Sequence, residues 1–221
     1  AHPALLAGAR SGSYGGLRLL PHPNADVGAR CTTDSNSNSD GGRGCEFGAT
    51  ALYLAAQGGH TKCVQLLIGH CADVRLGLGK VMALPGRGKG KGGYDGQGKG
   101  RGKGKGKGAA MMVVEATPLF VASMRGHADT MELLLQAGSD PNARTADGST
   151  PLYAAAWNGH PNAAKLLLKQ GAHVDAWTGK GWTAYMAAYR KGHRDVMELL
   201  LRHGASVEAP AQAQALARQG G

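Results

Sequence analysis

The stretch TPLYAAAWNGH, from Thr150 to His160, is one of three closely related copies in the chain. The copy before it reads TPLFVASMRGH from Thr117, and the copy after it reads TAYMAAYRKGH from Thr183, so each begins 33 residues after the previous one. Every copy continues into a leucine triplet and then a glycine. A fixed period of about 20 to 50 residues is typical of stacked repeats in a solenoid, not of a single-core globule.

One copy already contains the signals for two short helices. Thr150 can cap a helix with Pro151 at its first position, where a missing N–H has no consequence. Gly159 favours the end of that helix, because glycine tolerates the left-handed backbone found after helix ends. A second apolar stripe, which includes Leu167, then runs to Gly171. A unit of this size cannot bury its apolar face alone, so it must stack on similar units.

These copies resemble the ankyrin repeat, whose signature includes T-P-L-H-x-A and which consists of a β-turn and two helices. A fourth stretch, TALYLAAQGGH from Thr50, carries the same pattern. The resemblance covers residues 50–74 and 117–209 firmly and residues 3–29 weakly. It implies an all-α fold, an ankyrin-type α-solenoid of helix–turn–helix repeats with short β-hairpin fingers, interrupted by a disordered Gly/Lys-rich loop.

The repeats and the segments between them predict six regions. In order, these are a degenerate N-terminal capping repeat (1–31), a polar loop insertion (32–48), an ankyrin repeat (49–79), a disordered basic Gly/Lys-rich insertion (80–115), three in-register ankyrin repeats (116–209) and a C-terminal tail or truncated repeat (210–221). Gly15-Gly16 and Pro21 fall within the second helix of the first region and predict that it is frayed. Cys71 replaces the terminal glycine of the second region, which predicts strain if that site needs a positive φ.

The charge of the chain is concentrated in the insertion. Residues 80–108 hold nine Lys or Arg and one acid, Asp95, so this segment carries +8 and the remainder carries +2 of the total of +10. Gly-Lys alternation favours disorder, since it offers almost no apolar surface to bury. The insertion is either a passive solvated loop (or a gene-model artefact) or a weak, salt-sensitive contact for nucleic acid or another polyanion. The candidate contacts are Arg87, Lys89, Lys91, Lys99, Arg101, Lys103, Lys105 and Lys107.

The sequence contains no constellation that indicates an enzyme, a metal site or a cofactor. His60, His127, His160 and His193 recur at the repeat period, which favours a structural hydrogen-bonding role over catalysis or metal binding. The four cysteines lack zinc-type spacing, and reduced cysteines are typical of a cytoplasmic or nuclear protein. No signal peptide and no apolar run long enough to span a membrane are recognised. The chain begins without methionine, which suggests a fragment or a processed chain.

Positions that vary between copies are the candidates for partner binding. In ankyrin-type repeats, the pair before Gly-His and the hairpin face a concave groove. Transferred to this sequence, these positions are Gln57, Met124, Arg125, Trp157, Asn158, Arg190 and Lys191 at helix ends, and Arg144, Asp147, Trp177, Lys180 and Trp182 in hairpins. Tryptophan and arginine are enriched at interface hot spots, and Trp157, Trp182, Arg190 and Lys191 are expected to form one patch. The alternative for Trp157 and Trp182 is packing on a neighbouring repeat.

Three functional hypotheses follow from the resemblance and the charge. The first is a monomeric, non-catalytic scaffold whose concave groove and finger tips bind a partner protein with apolar and acidic contact residues. The second is a regulatory or substrate-docking fragment of a larger enzyme or of a ubiquitin-ligase subunit. The third is nonspecific nucleic-acid or polyanion binding through residues 80–108. The fold alone does not decide between them.

Overall fold

The computed structural model describes residues 3–18, 49–77 and 116–207. Within these ranges the chain forms ten helices, arranged as five consecutive pairs. They are α1 (Pro3–Ser11), α2 (Tyr14–Arg18), α3 (Ala51–Gly58), α4 (Thr61–Gly69), α5 (Pro118–Arg125), α6 (Ala128–Gln136), α7 (Pro151–Asn158), α8 (Pro161–Lys169), α9 (Ala184–Lys191) and α10 (Arg194–Arg202). The polar loop 32–48, the insertion 80–115 and the tail 210–221 lie outside the described residues.

Local capping determines where the first helix of each later pair begins. Thr150 has an extended backbone, and its hydroxyl oxygen accepts a hydrogen bond from the N–H of Tyr153 at 3.2 Å. Thr50, Thr117 and Thr183 cap α3, α5 and α9 in the same way. Each of these helices ends at a glycine with left-handed backbone, as at Gly159, where φ is 73°. The predicted capping of the repeats by threonine and glycine is confirmed.

The helix pairs stack into two layers. The first helices α1, α3, α5, α7 and α9 pack side by side in one layer, and the second helices α2, α4, α6, α8 and α10 pack in the other. The core between the layers consists of leucines such as Leu52, Leu119 and Leu152 with small residues such as Ala55 and Ala122, all fully buried. Small side chains in the first helices allow this close stacking, so the all-α solenoid is confirmed.

The pair α3–α4 packs directly on α5–α6, although the insertion separates them in sequence. Gly77 and Ala116 lie so close together that a side chain on Gly77 would collide with the carbonyl oxygen of Ala116. The residues on either side of segment 78–115 therefore meet at a single point. That point corresponds to the turn between pairs, where the later repeats form a finger.

The fingers between later repeats are tight turns. In the first finger (residues 143–149), Thr145 N donates to Ser149 O at 3.0 Å; in the second finger (residues 176–182), Thr178 N donates to Trp182 O at 2.9 Å. The one β-bridge in the described part of these fingers joins Trp177 and Thr183 in antiparallel fashion. The short β-hairpins are thus reduced to hydrogen-bonded turns.

The first pair is shorter than the others. Helix α2 has five residues and contains Gly15 and Gly16, both poor helix formers. Leu5, Ala9 and Leu17 are buried against the neighbouring pair. Residues 3–18 therefore follow the helix–turn–helix arrangement of the later repeats, with the second helix described over Tyr14–Arg18.

Candidate protein-binding groove

The C-terminal ends of α7 and α9 and the second finger meet on one side of the stack. Trp157 and Lys191 occupy neighbouring positions near the ends of α7 and α9, and Trp182 is the last residue of the finger that leads into α9. The contacts described below join these three elements into one surface. The surface is built from positions where earlier repeats carry different side chains, such as Gln57 and Met124 at the position of Trp157.

Trp157 is half-buried and contacts both an aromatic ring and a cation. Its indole stacks with the ring of Tyr153, with centroids 6.0 Å apart and an interplanar angle of 24°. Lys191 Nζ lies 4.4 Å from the centre of the Trp157 ring. Both contacts favour the observed orientation of the indole before any partner binds.

A second cation–indole pair lies beside the first. Arg190 Cζ is 5.0 Å from the centre of the ring of Trp182, which is also half-buried. Because Arg190 and Lys191 are adjacent in α9, the two pairs share one helix end. The structure thus brings together Trp157, Trp182, Arg190 and Lys191, the four residues that the sequence placed in one patch.

Trp177 and Arg144 link the two fingers. Arg144 Cζ lies 5.9 Å from the centre of the Trp177 ring, and its Nη2 donates a hydrogen bond to the Trp177 carbonyl oxygen. Its Nε donates to Gly148 O at 3.2 Å, and Gly179 N donates to Asp147 O at 2.7 Å. Arg144 is exposed, yet its guanidinium already binds carbonyl groups of both fingers, so it contributes mainly to their relative position.

Asp147 organises the first finger. Its carboxylate accepts hydrogen bonds from Thr145 Oγ1, from Ser149 Oγ at 2.8 Å and from Ser149 N at 3.3 Å. Partial burial alone would raise the pKa of Asp147, but these hydrogen bonds outweigh it and the pKa lies below its ordinary value. The carboxylate is therefore charged and directed into its own turn.

Sequence reasoning missed two aromatic residues, one in this surface and one exposed near the end of α9. Tyr153 stacks on Trp157, and burial together with the nearby charge of Asp147 raises its pKa, against the opposing effect of Arg190. Tyr189 is 69% exposed, whereas Ala56, Ser123 and Ala156 at the equivalent position are fully buried. A signal for Tyr153 was present, since three copies carry an aromatic residue three positions after the capping threonine.

The remaining candidate residues are distributed along earlier repeats and the second finger. Arg125 and Lys180 are exposed, and Gln57 is half-buried. Met124 is half-buried and packs against the core. Asn158 directs its side-chain amide to Ala154 O at 2.9 Å within its own helix. Residues 87–107, which carry the candidate polyanion contacts, lie outside the described residues.

The periodic histidines form a ladder along the stack. Each ring is hydrogen-bonded through Nε2 to a carbonyl oxygen of the preceding pair: His60 to Arg10, His127 to Gln57, His160 to Met124 and His193 to Trp157, at 3.0 to 3.2 Å. Each ring also packs on a glycine, so a Cβ on Gly126 would lie 2.6 Å from His160 Nδ1. The histidines are thus structural groups that join neighbouring pairs.

The electrostatic environment of His160 fits this role. Burial lowers the pKa of His160, the hydrogen bond to the Met124 carbonyl opposes that effect, and repulsion from His127 and His193 lowers it further. In residues 3–18, 49–77 and 116–207, no group of three or more His, Cys, Asp or Glu side chains is placed to hold a metal ion. No helix in the same ranges is long and apolar enough to cross a membrane.

Comparison with known families agrees with the repeat architecture. A family model for ankyrin repeats, described as three copies, matches residues 119–211. A model for a single ankyrin repeat matches residues 47–76. Together these matches cover more than half of the chain. Among curated proteins, none matches the chain.

Proposed function

Because the chain belongs to the ankyrin repeat proteins, whose repeats generally serve as protein–protein interaction modules, we propose that it binds a partner protein through one defined surface. We call this surface the tryptophan–cation patch; it consists of Tyr153, Trp157, Trp182, Arg190 and Lys191. The proposal makes the chain a non-catalytic scaffold, in agreement with the typically non-catalytic nature of ankyrin repeat domains. The fingers form the edge of the patch.

The observation that carries this proposal is the pairing of two indoles with two cations on consecutive repeats. Trp157 and Trp182 are both half-buried, and each is held under a cation of α9. Fixed aromatic side chains lose little conformational entropy on binding, which is why they act as anchors at interfaces. Because Arg190 and Lys191 are positively charged, a partner that binds beside them should carry negative charge.

The chemistry of the patch defines the partner. Arg190 and Lys191 are exposed, while the nearby carboxylate of Asp147 is occupied by its own finger. The patch therefore favours a segment that presents acidic side chains to the cations and an apolar side chain to the indoles. We further propose a monomer that works in the cytoplasm or nucleus, which agrees with the free thiols of Cys63 and Cys71.

Site-specific photo-crosslinking tests the position of the interface. A photoreactive residue at position 191 should capture a protein from cell extract, and the same residue at position 169 should not capture it. Lys169 is exposed at the end of α8, in the layer of second helices, and serves as the matched control. Capture of the same protein from both positions would contradict the proposed interface.

Affinity measurements with the captured protein then test individual residues. Trp157→Ala should weaken binding by at least about 2 kcal/mol, or roughly thirtyfold, because the indole is the central anchor. Replacing Arg190 and Lys191 with glutamate should mainly slow association and reduce its dependence on salt, whereas Lys169→Glu should do neither. Circular dichroism checks that each variant is folded. If Trp157→Ala melts the repeats while affinity per folded molecule is unchanged, Trp157 is a core residue and the proposal is wrong.

A further inference from the structure

A polar side chain bridges neighbouring repeats at the two later junctions. Asn142 lies four residues after Gly138, and its side chain donates to Gly171 O at 3.1 Å and accepts from His173 N at 2.8 Å. At the next junction the equivalent residue is Asp175, whose Oδ1 accepts from Ser206 N at 2.8 Å. At both junctions, an amide or carboxylate oxygen thus accepts a hydrogen bond from the equivalent backbone N–H.

The junction between α3–α4 and α5–α6 lacks this acceptor. The equivalent residue is Arg75, four residues after Cys71, and a guanidinium has no acceptor to offer. The backbone group that corresponds to the N–H of His173 and Ser206 is the N–H of Asp140. Neither the N–H of Asp140 nor the guanidinium of Arg75 forms a hydrogen bond with another described residue.

A cleft of about 400 Å³ lies at this junction, and we call it the junction cleft. Its lining includes Arg75, Thr117, Ser139 and Asp140. Ser139 is only 7% exposed. Its hydroxyl oxygen Oγ is buried and has no hydrogen-bond partner in the described part of the chain. The equivalent residues Ala72, Ala172 and Ala205 have no hydroxyl. A buried, unpartnered hydroxyl is unfavourable unless a further group completes its hydrogen bonding.

We propose that the junction cleft is a binding site for an oxyanion, a carboxylate or phosphate group. The donors are the guanidinium of Arg75, the N–H of Asp140 and the hydroxyl of Ser139. An oxyanion would supply the acceptor that Asp175 supplies with its own carboxylate at the last junction. Arg75 adds the positive charge and the planar pair of donors that carboxylates and phosphates bind well. This site is separate from the tryptophan–cation patch and does not depend on the proposed partner.

One group in the cleft opposes an anion. The carboxylate of Asp140 also lines it, but its Oδ1 accepts from Asn142 N at 2.8 Å and is thereby held in its own turn. This carboxylate limits affinity without removing any of the three donors. Asp140→Asn should therefore tighten anion binding.

Amide NMR on the full chain tests the site directly. The probes are inorganic phosphate and malonate, each titrated against sodium chloride at constant ionic strength. The amide resonance of Asp140 should shift in a saturable manner with at least one probe, and the stronger response identifies the preferred oxyanion. Absence of a saturable shift beyond that of chloride would overturn the proposal, since the donors would then be solvated only by water.

Three variants separate this site from general charge effects. Arg75→Asn installs the bridging residue found at position 142, so the amide of Asp140 should become hydrogen-bonded and no longer respond to the probes. Ser139→Ala, which copies the other junctions, should weaken binding by about tenfold through loss of one hydrogen bond to a charged group. Lys169→Gln removes one positive charge elsewhere and should leave the titration unchanged. An unaltered response in Arg75→Asn, or an equal loss in Lys169→Gln, would overturn the proposal.

Discussion

Cys71 has a φ of 60°, whereas the residues that follow the second helices of the later repeats with positive φ are Gly138, Gly171 and Gly204. Side chains with a Cβ are strained in the left-handed region, where glycine is not. The thiol of Cys71 is exposed, so the site gains no burial in exchange. The repeat pattern predicted strain at Cys71 if that site needs a positive φ, and the observed φ meets this condition.

Cys71→Gly should raise the free energy of unfolding by up to about 1 kcal/mol, because it relieves a backbone conformation that disfavours a Cβ. Chemical denaturation monitored by circular dichroism measures this change. The matched control is Gly171→Ala, where an added Cβ meets open space and only backbone strain is introduced. This control should lower stability by a similar amount. A loss of stability in Cys71→Gly would show that the thiol makes a stabilising contact.

At the scale of elements, the histidine ladder adds one hydrogen bond between each of these helix pairs and the pair before it, alongside the apolar packing. His160 contacts the carbonyl of Met124 and the backbone at Gly126, and so connects α8 to the end of α5. Its lowered pKa means that the folded state prefers the neutral ring. The junction is consequently sensitive to acid.

The free energy of unfolding should decrease as the pH falls below about 6.5, the ordinary pKa of histidine. Below that pH, His160 binds a proton in the unfolded chain but stays neutral in the folded chain until its own, lower pKa is reached. This contribution to stability is therefore complete above pH 6.5 and is lost as the pH falls through the folded pKa. Replacement of His160 with Gln should reduce the slope of stability against pH by up to about 1.4 kcal/mol per unit. Denaturant unfolding between pH 7.5 and 5.5 measures the slope. His203→Gln, at an exposed histidine outside the ladder, is the control, and equal slopes in wild type and His160→Gln would contradict the assignment.

At the scale of the whole molecule, the helix pairs that precede and follow residues 78–115 belong to one stack. Helices α3 and α4 pack on α5 and α6 in the same way that later pairs pack on each other, and Gly77 adjoins Ala116. The described contacts that hold these pairs together include the hydrogen bond from the ring of His127 to Gln57 O. Stability of the stack is therefore expected to depend on these contacts and little on the length of the connection.

Replacing residues 80–108 with a short Gly-Ser link should leave the thermal unfolding temperature nearly unchanged, because the entropy of loop closure varies only slowly with loop length. Differential scanning calorimetry of the two chains provides the measurement. The same pair of chains tests the polyanion hypothesis, since any salt-sensitive binding to nonspecific nucleic acid should disappear with the segment. A large loss of helicity on replacement would show that the segment is part of the folded stack.

The repeats could be predicted well because their signals are local. Thr150 caps a helix through a hydrogen bond to a backbone N–H three residues away, and Gly159 ends the same helix through its own backbone freedom. Such interactions are readable from a few consecutive residues, and repetition at a fixed period strengthened each of them. The structural role of the periodic histidines could be predicted in the same way, because histidine recurs at the equivalent position of four repeats. In this way the sequence alone determined the helix boundaries, the stacking and the family.

The tertiary structure decided which side chains meet across repeats. Lys191 contacts the ring of Trp157 although 34 positions separate them, and Tyr153 stacks on the same indole. Arg144 was predicted as a partner-binding residue of the first hairpin, and the structure shows that its guanidinium binds carbonyl groups of the fingers. At the junction cleft, Arg75 stands where Asn142 and Asp175 bridge the later repeats. These features depend on distances between residues of different repeats, which are set by how the helix pairs stack and not by any local pattern.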